Sequence, residues 1–248
     1  MITTTAWRGA ATLALMALVL CVSLADEKAQ PASPANPAPP EIKEIRPGIF
    51  LAGKVTIDKK QRSISIPVFI NMHAGPMEYI VVTPRGKTHE SLLRTDAEPL
   101  HIQIALLLLD AKGAQGKPVP EDPRLPIPGE SVTVELQWTE SGKDKSAPIE
   151  QFVRDGRTKE AMKRGPFTYN GSIVFDGAFL AQRDGSVISL ITDQTALINN
   201  PRLGREDDEN WSPIKTGLPA LDSAATLVIR LPATKPVPSP KNKPTSEK

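Results

Sequence analysis

The chain has 248 residues, with 30 lysines and arginines against 28 aspartates and glutamates, a formal net charge of +2. So balanced a charge supplies no long-range field for nucleic acid or an anionic membrane, and 40% apolar with 23% charged residues is the composition of a folded protein. A single cysteine excludes an internal disulfide, a cysteine zinc site and an iron–sulfur cluster, whereas 25 prolines, about twice average usage, ask where in the chain they fall.

Residues 1–25 read as a secretory signal peptide. Arg8 is the one charge before an apolar stretch over 10–22, and Ser23-Leu24-Ala25 ends it with small residues before a cut at Ala25. The stretch is about 13 residues, short of the roughly 20 a spanning helix needs. Cys21 follows Leu20, where a lipoprotein signal takes Gly, Ala or Ser, so cleavage near Ala25 is expected instead of lipidation, leaving a cysteine-free mature chain. Residues 26–42 read as a disordered proline-rich linker and 235–248 as a disordered proline- and lysine-rich tail. Residues 29–40 and 235–248 together hold nine of the 25 prolines and no apolar periodicity, so they bury too little to offset their ordering entropy. The folded domain is expected over 43–234.

In that domain 48–57 reads as a strand and 58–61 as a hairpin loop. Over 63–70, Ile64, Ile66, Val68 and Ile70 alternate onto one face. His73 falls in an exposed turn, and 77–83 reads as another strand. A helix follows, capped by Thr95 or Asp96, with Glu98 and Pro99 in its first turn and Lys112-Gly113 closing it. Its buried stripe is read as Leu100, Ile104, Leu107 and Leu108. Five prolines within 118–128 make an irregular loop. Strand 131–139 sets Val132, Val134, Leu136 and Trp138 against a polar face of Ser131, Thr133, Glu135, Gln137 and Thr139. A short second helix starts at Pro148 and runs to Val153. Strands at 167–175, 178–182 and 186–192 are separated by Asp176-Gly177 and Asp184-Gly185, which predict an antiparallel meander. A last strand lies at 226–231. The fold class these elements imply is α+β, mainly an antiparallel sheet with one principal buried helix and a short second helix.

Two of the three histidines lie around His89-Glu90-Ser91 and at His101. His89, Glu90 and His101 are an imidazole–carboxylate–imidazole set that could hold zinc, although they lack the register that puts two histidines on one helical face. Ser91 beside His89 has the residue types of a nucleophile and its base, without the glycine elbow that usually presents such a serine. The structural alternative is that His89 and Glu90 bond backbone where strand meets helix, with His101 half-buried on that helix. The acidic run Arg205–Asn210 does not match a calcium loop and reads as solvated surface. No phosphate-binding glycine loop and no dinucleotide fingerprint is present.

Gly86-Lys87-Thr88-His89-Glu90-Ser91-Leu92-Leu93, the following Pro99 to Leu109 segment, and Phe167-Thr168-Tyr169-Asn170-Gly171-Ser172 together resemble the signature of the YdjY-domain proteins. The resemblance runs from about Gly48 to Leu231. It departs at Phe167, where the family usually has Trp, and at Asp110, where the helix usually ends in Gly. It implies an extracytoplasmic protein of the kind found in planctomycete-like bacteria, a family without an established activity. It marks His89, Glu90, Ser91 and His101 as candidate catalytic positions, and Gly171 and Ser172 as candidate binding positions. An iron–sulfur role attached to some relatives does not carry over to a chain without mature cysteine.

These readings lead to a secreted or periplasmic, non-enzymatic binding or interaction module of the cell envelope. Its partner would be another envelope protein or a small ligand, with no nucleic acid, no cofactor, and no membrane span after signal cleavage. The alternatives are a metal-assisted hydrolase using His89, Glu90 and His101, with zinc as its metal, and a small-ligand sensor with a pocket beside the helix.

Overall fold

The computed structural model describes residues 38–233. The signal peptide, its cleavage near Ala25, most of the proline-rich linker and the 235–248 tail lie outside the described residues.

The strands in chain order are β1 (Ile42–Arg46), β2 (Ile49–Ala52), β3 (Val55–Asp58), β4 (Ser63–Ile70), β5 (Tyr79–Val82), β6 (Ser91–Arg94), β7 (Glu130–Glu140) and β8 (Lys143–Pro148). They continue with β9 (Val153–Asp155), β10 (Phe167–Tyr169), β11 (Val174–Phe175), β12 (Ala178–Phe179), β13 (Ser186–Ser189), β14 (Ile198–Asn199), β15 (Trp211–Pro213) and β16 (Ala224–Arg230). Two α-helices, α1 (Pro99–Leu107) and α2 (Leu180–Asp184), and 3-10 turns at Thr88–Glu90 and Ile149–Phe152 complete the described elements.

β4 pairs antiparallel with β16, Ile66 opposite Leu227, and β16 with β7, Leu227 opposite Leu136. Pairing then runs through β10, β14, β13, β5 and β6. β6 returns to β4, with Leu93 opposite Ile70 and Arg94 opposite Phe69. That last contact closes eight strands into a barrel. β1 to β3 extend the sheet from β4, and β8 extends it from β7. Most neighbours are antiparallel; β5–β6 and β13–β14 are parallel.

The expected α+β class is therefore corrected: the described protein is mostly β, a closed barrel with two short helices. Alternation could not reveal this, because inward and outward side chains alternate identically along open and closed sheets. The alternation itself held where it was cleanest. Ile64, Ile66, Val68, Val132, Val134, Leu136, Leu227 and Ile229 all point inward and are buried. At roughly 1.5–3 kcal/mol for each fully buried aliphatic side chain, this inner layer is the main source of stability.

Other boundaries shift for local reasons. The expected strand 48–57 is two strands, because Gly53 at φ +58 opens a two-residue hairpin turn. The meander over 167–192 does not form. Asp176-Gly177 does turn a small hairpin, β11–β12, but Gly185 at φ +71 ends helix α2 in the left-handed conformation. β13 then joins β5 and β14 instead. Helix α1 starts later than expected, at Pro99, because the Thr95 hydroxyl bonds Pro67 O and Ala97 N in a turn before it. The face it buries is Ile102, Ala105 and Leu106, against β2, β3 and β4; Leu107 and Leu108 are exposed. Among the described residues no helix is long and apolar enough to cross a membrane.

Candidate functional site

His89 sits on the 3-10 turn before β6 with its side chain 76% exposed. Asn71 Nδ2 holds that turn by donating to the carbonyls of Thr88 at 2.5 Å and Ser91 at 2.8 Å. Beside it, Lys87 bridges two carboxylates: its ammonium donates to buried Glu78 and faces Glu90 Oε2 at 3.5 Å. Glu78 holds the Lys87 ammonium above the usual lysine range. His89 Nε2 lies 3.8 Å from the same Glu90 oxygen, so His89 and Glu90 do come together.

His101 does not join them. Strand β6 and the turn at Thr95 separate it from His89, and four residues of strand alone span about 13 Å. The His101 ring lies instead against the β2–β3 turn, where a Cβ on Gly53 would come within 2.3 Å of His101 Nδ1. Its Nε2 is buried without a hydrogen-bond partner among the described residues. Among the described residues no group of three or more His, Cys, Asp or Glu is gathered as a metal site requires. Ser91 is fully buried, and its hydroxyl donates to Leu93 O at 2.7 Å, pointing away from a nucleophile's exposed position.

Gly171 and Ser172 form a bend with left-handed backbone at both residues, φ +85 and +59. Ser172 Oγ donates to Thr195 O at 2.6 Å and accepts from Ala181 N at 3.1 Å, so its hydroxyl ties the bend to α2 and to the segment before β14. Behind this bend lies a buried polar network that the sequence did not disclose. Asn199 Nδ2 donates to Asn170 Oδ1 at 2.9 Å and Asp193 O at 2.8 Å. The Tyr79 hydroxyl donates to Asp193 Oδ2 at 3.1 Å. Gln182 accepts from Leu100 N at 3.1 Å, satisfying a first-turn amide of α1. These groups hold backbone or one another.

Arg205, read as part of a solvated run, is in fact buried. Its guanidinium donates to Pro120 O, Thr192 Oγ1 and Asp122 O at 2.6 to 2.8 Å, fastening the proline-rich loop to the barrel. Asp207, Asp208 and Glu209 beyond it are exposed. His73, read as exposed, is half-buried and bonds Pro219 O at 2.8 Å.

Open recesses lie at both ends of α1, at residues 96–98 and 110–115, beside Arg205 and Glu206, and on the outer wall of the barrel. Pro67, Thr226, Gln137 and Ser146 stand in one row across β4, β16, β7 and β8. Ser65, Val228, Glu135 and Pro148 form the next row. A concavity of about 710 Å³ spans the first row and extends to Trp138, Thr139 and Asp144. A second, of about 410 Å³, lies further along β7 at Thr133 and Glu135, flanked by Arg164 and Arg230. Gln137 Nε2 donates to Glu135 Oε1 at 2.6 Å between them. The polar face of 131–139 was legible in the sequence; its neighbours across the sheet were not.

A family model described as the YdjY domain matches residues 55–230. Searches among curated proteins and among solved structures found no match.

Proposed function

The chain belongs to the YdjY-domain family, and from that premise we propose that it is a non-enzymatic binding module of the cell envelope, secreted or periplasmic after cleavage near Ala25. One observation carries the reading. Ser91 is spent on Leu93 O and His101 packs against Gly53, and exposed His89 faces Glu90 with Ser91 buried beneath it, while the recesses on the outer wall are lined by hydroxyl, amide and charged groups of both signs. Recognition needs such convergent polar groups, whereas catalysis needs a nucleophile or base free to reach a reacting atom. The module requires no cofactor, and its partner is an envelope component or a small ligand.

The purified protein, offered ester, phosphoester and peptide substrates with and without added zinc, should give no turnover that Ser91→Ala or His89→Ala lowers. Turnover abolished by either substitution, in a variant that melts like the parent, would overturn the reading in favour of hydrolysis.

A further inference from the structure

The outer face of β7 carries more than a solvated sheet face requires. Its two concavities are aligned along one strand, about four residues apart, which at roughly 3.3 Å per residue sets their centres about 13 Å from each other. The recesses at Gln137 and at Thr133 lie in line on one face of β7, with the bonded Glu135 and Gln137 side chains between them, and a track running through both is long enough for an extended chain and much longer than a single small ring. We propose that this track, on β7 with β16 and β8 beside it, binds a linear, uncharged, polyhydroxylated chain: a neutral oligosaccharide or polysaccharide. The inference rests on the binding reading and names its ligand class.

Two features of the lining choose that class. The first is charge. The larger recess carries one carboxylate and one ammonium, Asp144 and Lys145; the smaller carries Glu135 and Glu150 against Arg164 and Arg230. A neutral lining gives an anionic or cationic polymer no net attraction. The second is the kind of polar group. Gln137 Oε1 accepts no hydrogen bond among the described residues, Thr139 Oγ1 is turned onto Asp144 Oδ1 at 2.9 Å, and Ser146 and Thr226 add hydroxyls in the same row as Gln137. Planar amide and carboxylate groups beside hydroxyls match neighbouring sugar hydroxyls as both donors and acceptors.

An extended peptide fits less well. It is usually held by adding a strand to a free sheet edge; β16 and β7, which carry the track, are paired on both sides, and an added strand would lie on the outer edge of β8, beyond the recess.

The test is calorimetric titration of the full chain with neutral oligosaccharides of increasing length from gluco-, xylo-, manno- and N-acetylglucosamine series. An acidic galacturonate oligomer and an unstructured peptide are the controls. At least one neutral series should bind, with affinity rising with chain length. Gln137→Ala removes one amide from the track, and Thr226→Trp fills its centre. Each should weaken binding about tenfold or more, the worth of one or two hydrogen bonds, without lowering the melting temperature. Should Thr226→Trp not fold, Gln137→Ala alone decides. No binding by any neutral series, binding that both substitutions leave intact, or equal binding of the acidic oligomer would each overturn the inference. Peptide binding blocked by Thr226→Trp would overturn the sugar class while leaving the binding reading in place. Turnover lost on Ser91→Ala or His89→Ala would instead remove the binding reading itself.

Discussion

Tyr79 and Tyr169 are the only two tyrosines in the chain, and both phenols are buried in the barrel wall. Burial, reinforced for Tyr79 by the Asp193 carboxylate, pushes both phenols well above their ordinary pKa of 10.0. The folded protein therefore keeps two protons that the unfolded chain releases above pH 10. Below that pH the two states hold these protons alike and the full stability is present; as pH rises beyond 10.0 the unfolded state is favoured and stability falls. Denaturant melts taken across pH 10 should show this loss. Phenolate absorbance should stay absent until the fold is lost, and Tyr79→Phe with Tyr169→Phe should flatten the dependence. A phenolate signal from protein that remains folded would contradict it. Their place in strands was readable from periodicity. The partners were not, since Asp193 lies 114 positions from Tyr79 and Gln103 lies 66 from Tyr169.

At the scale of elements, the β2–β3 hairpin and helix α1 meet through a glycine and a histidine. Gly53 has φ +58, a conformation costly for any residue with a Cβ, and a Cβ there would lie 2.3 Å from His101 Nδ1. Gly53→Ala should therefore lower the unfolding free energy by about 1–3 kcal/mol through both causes. Adding His101→Ala to Gly53→Ala removes the clash but not the backbone cost, so the double variant should recover part of the loss. Equal losses in the two variants, measured by denaturant melts, would mean that the ring and the turn are not in contact. The histidine could be noticed from its rarity, and the sequence does not distinguish a ring that ligates from one that packs. Glycine carries the same ambiguity. Gly53 turns a hairpin inside what reads as one strand, and Gly185 closes a helix inside what reads as a meander, because a positive φ serves both purposes.

For the whole molecule, closure depends on a short seam. Four strands in series, β3, β4, β16 and β7, present patterns that an open sheet shares, and what makes a barrel is the pairing of Phe69 and Ile70 with Arg94 and Leu93. These residues are separated in sequence by a strand, a turn and the Lys87 bridge, so the pairing has no local signature. It does have a physical consequence. In an open sheet β6 would be an edge, with one row of amides bonded to β5 and the other free to exchange. In the closed barrel both rows are paired, to β5 and to β4. Amide exchange from residues in the interior of a cooperative unit requires opening of the whole unit, whereas edges exchange by local fraying. Native-state hydrogen exchange should therefore protect the β6 amides to the same degree as those of β4, β16 and β7. The β1 amides, on a strand paired among the described residues only with β2 and exposed throughout, should exchange far faster. Early exchange of β6 alongside β1 would show the seam to be open. The outer track on β7 would then lose the rigid wall that holds its rows in line, because the spacing of Pro67, Thr226, Gln137 and Ser146 depends on β4 being fixed on both sides.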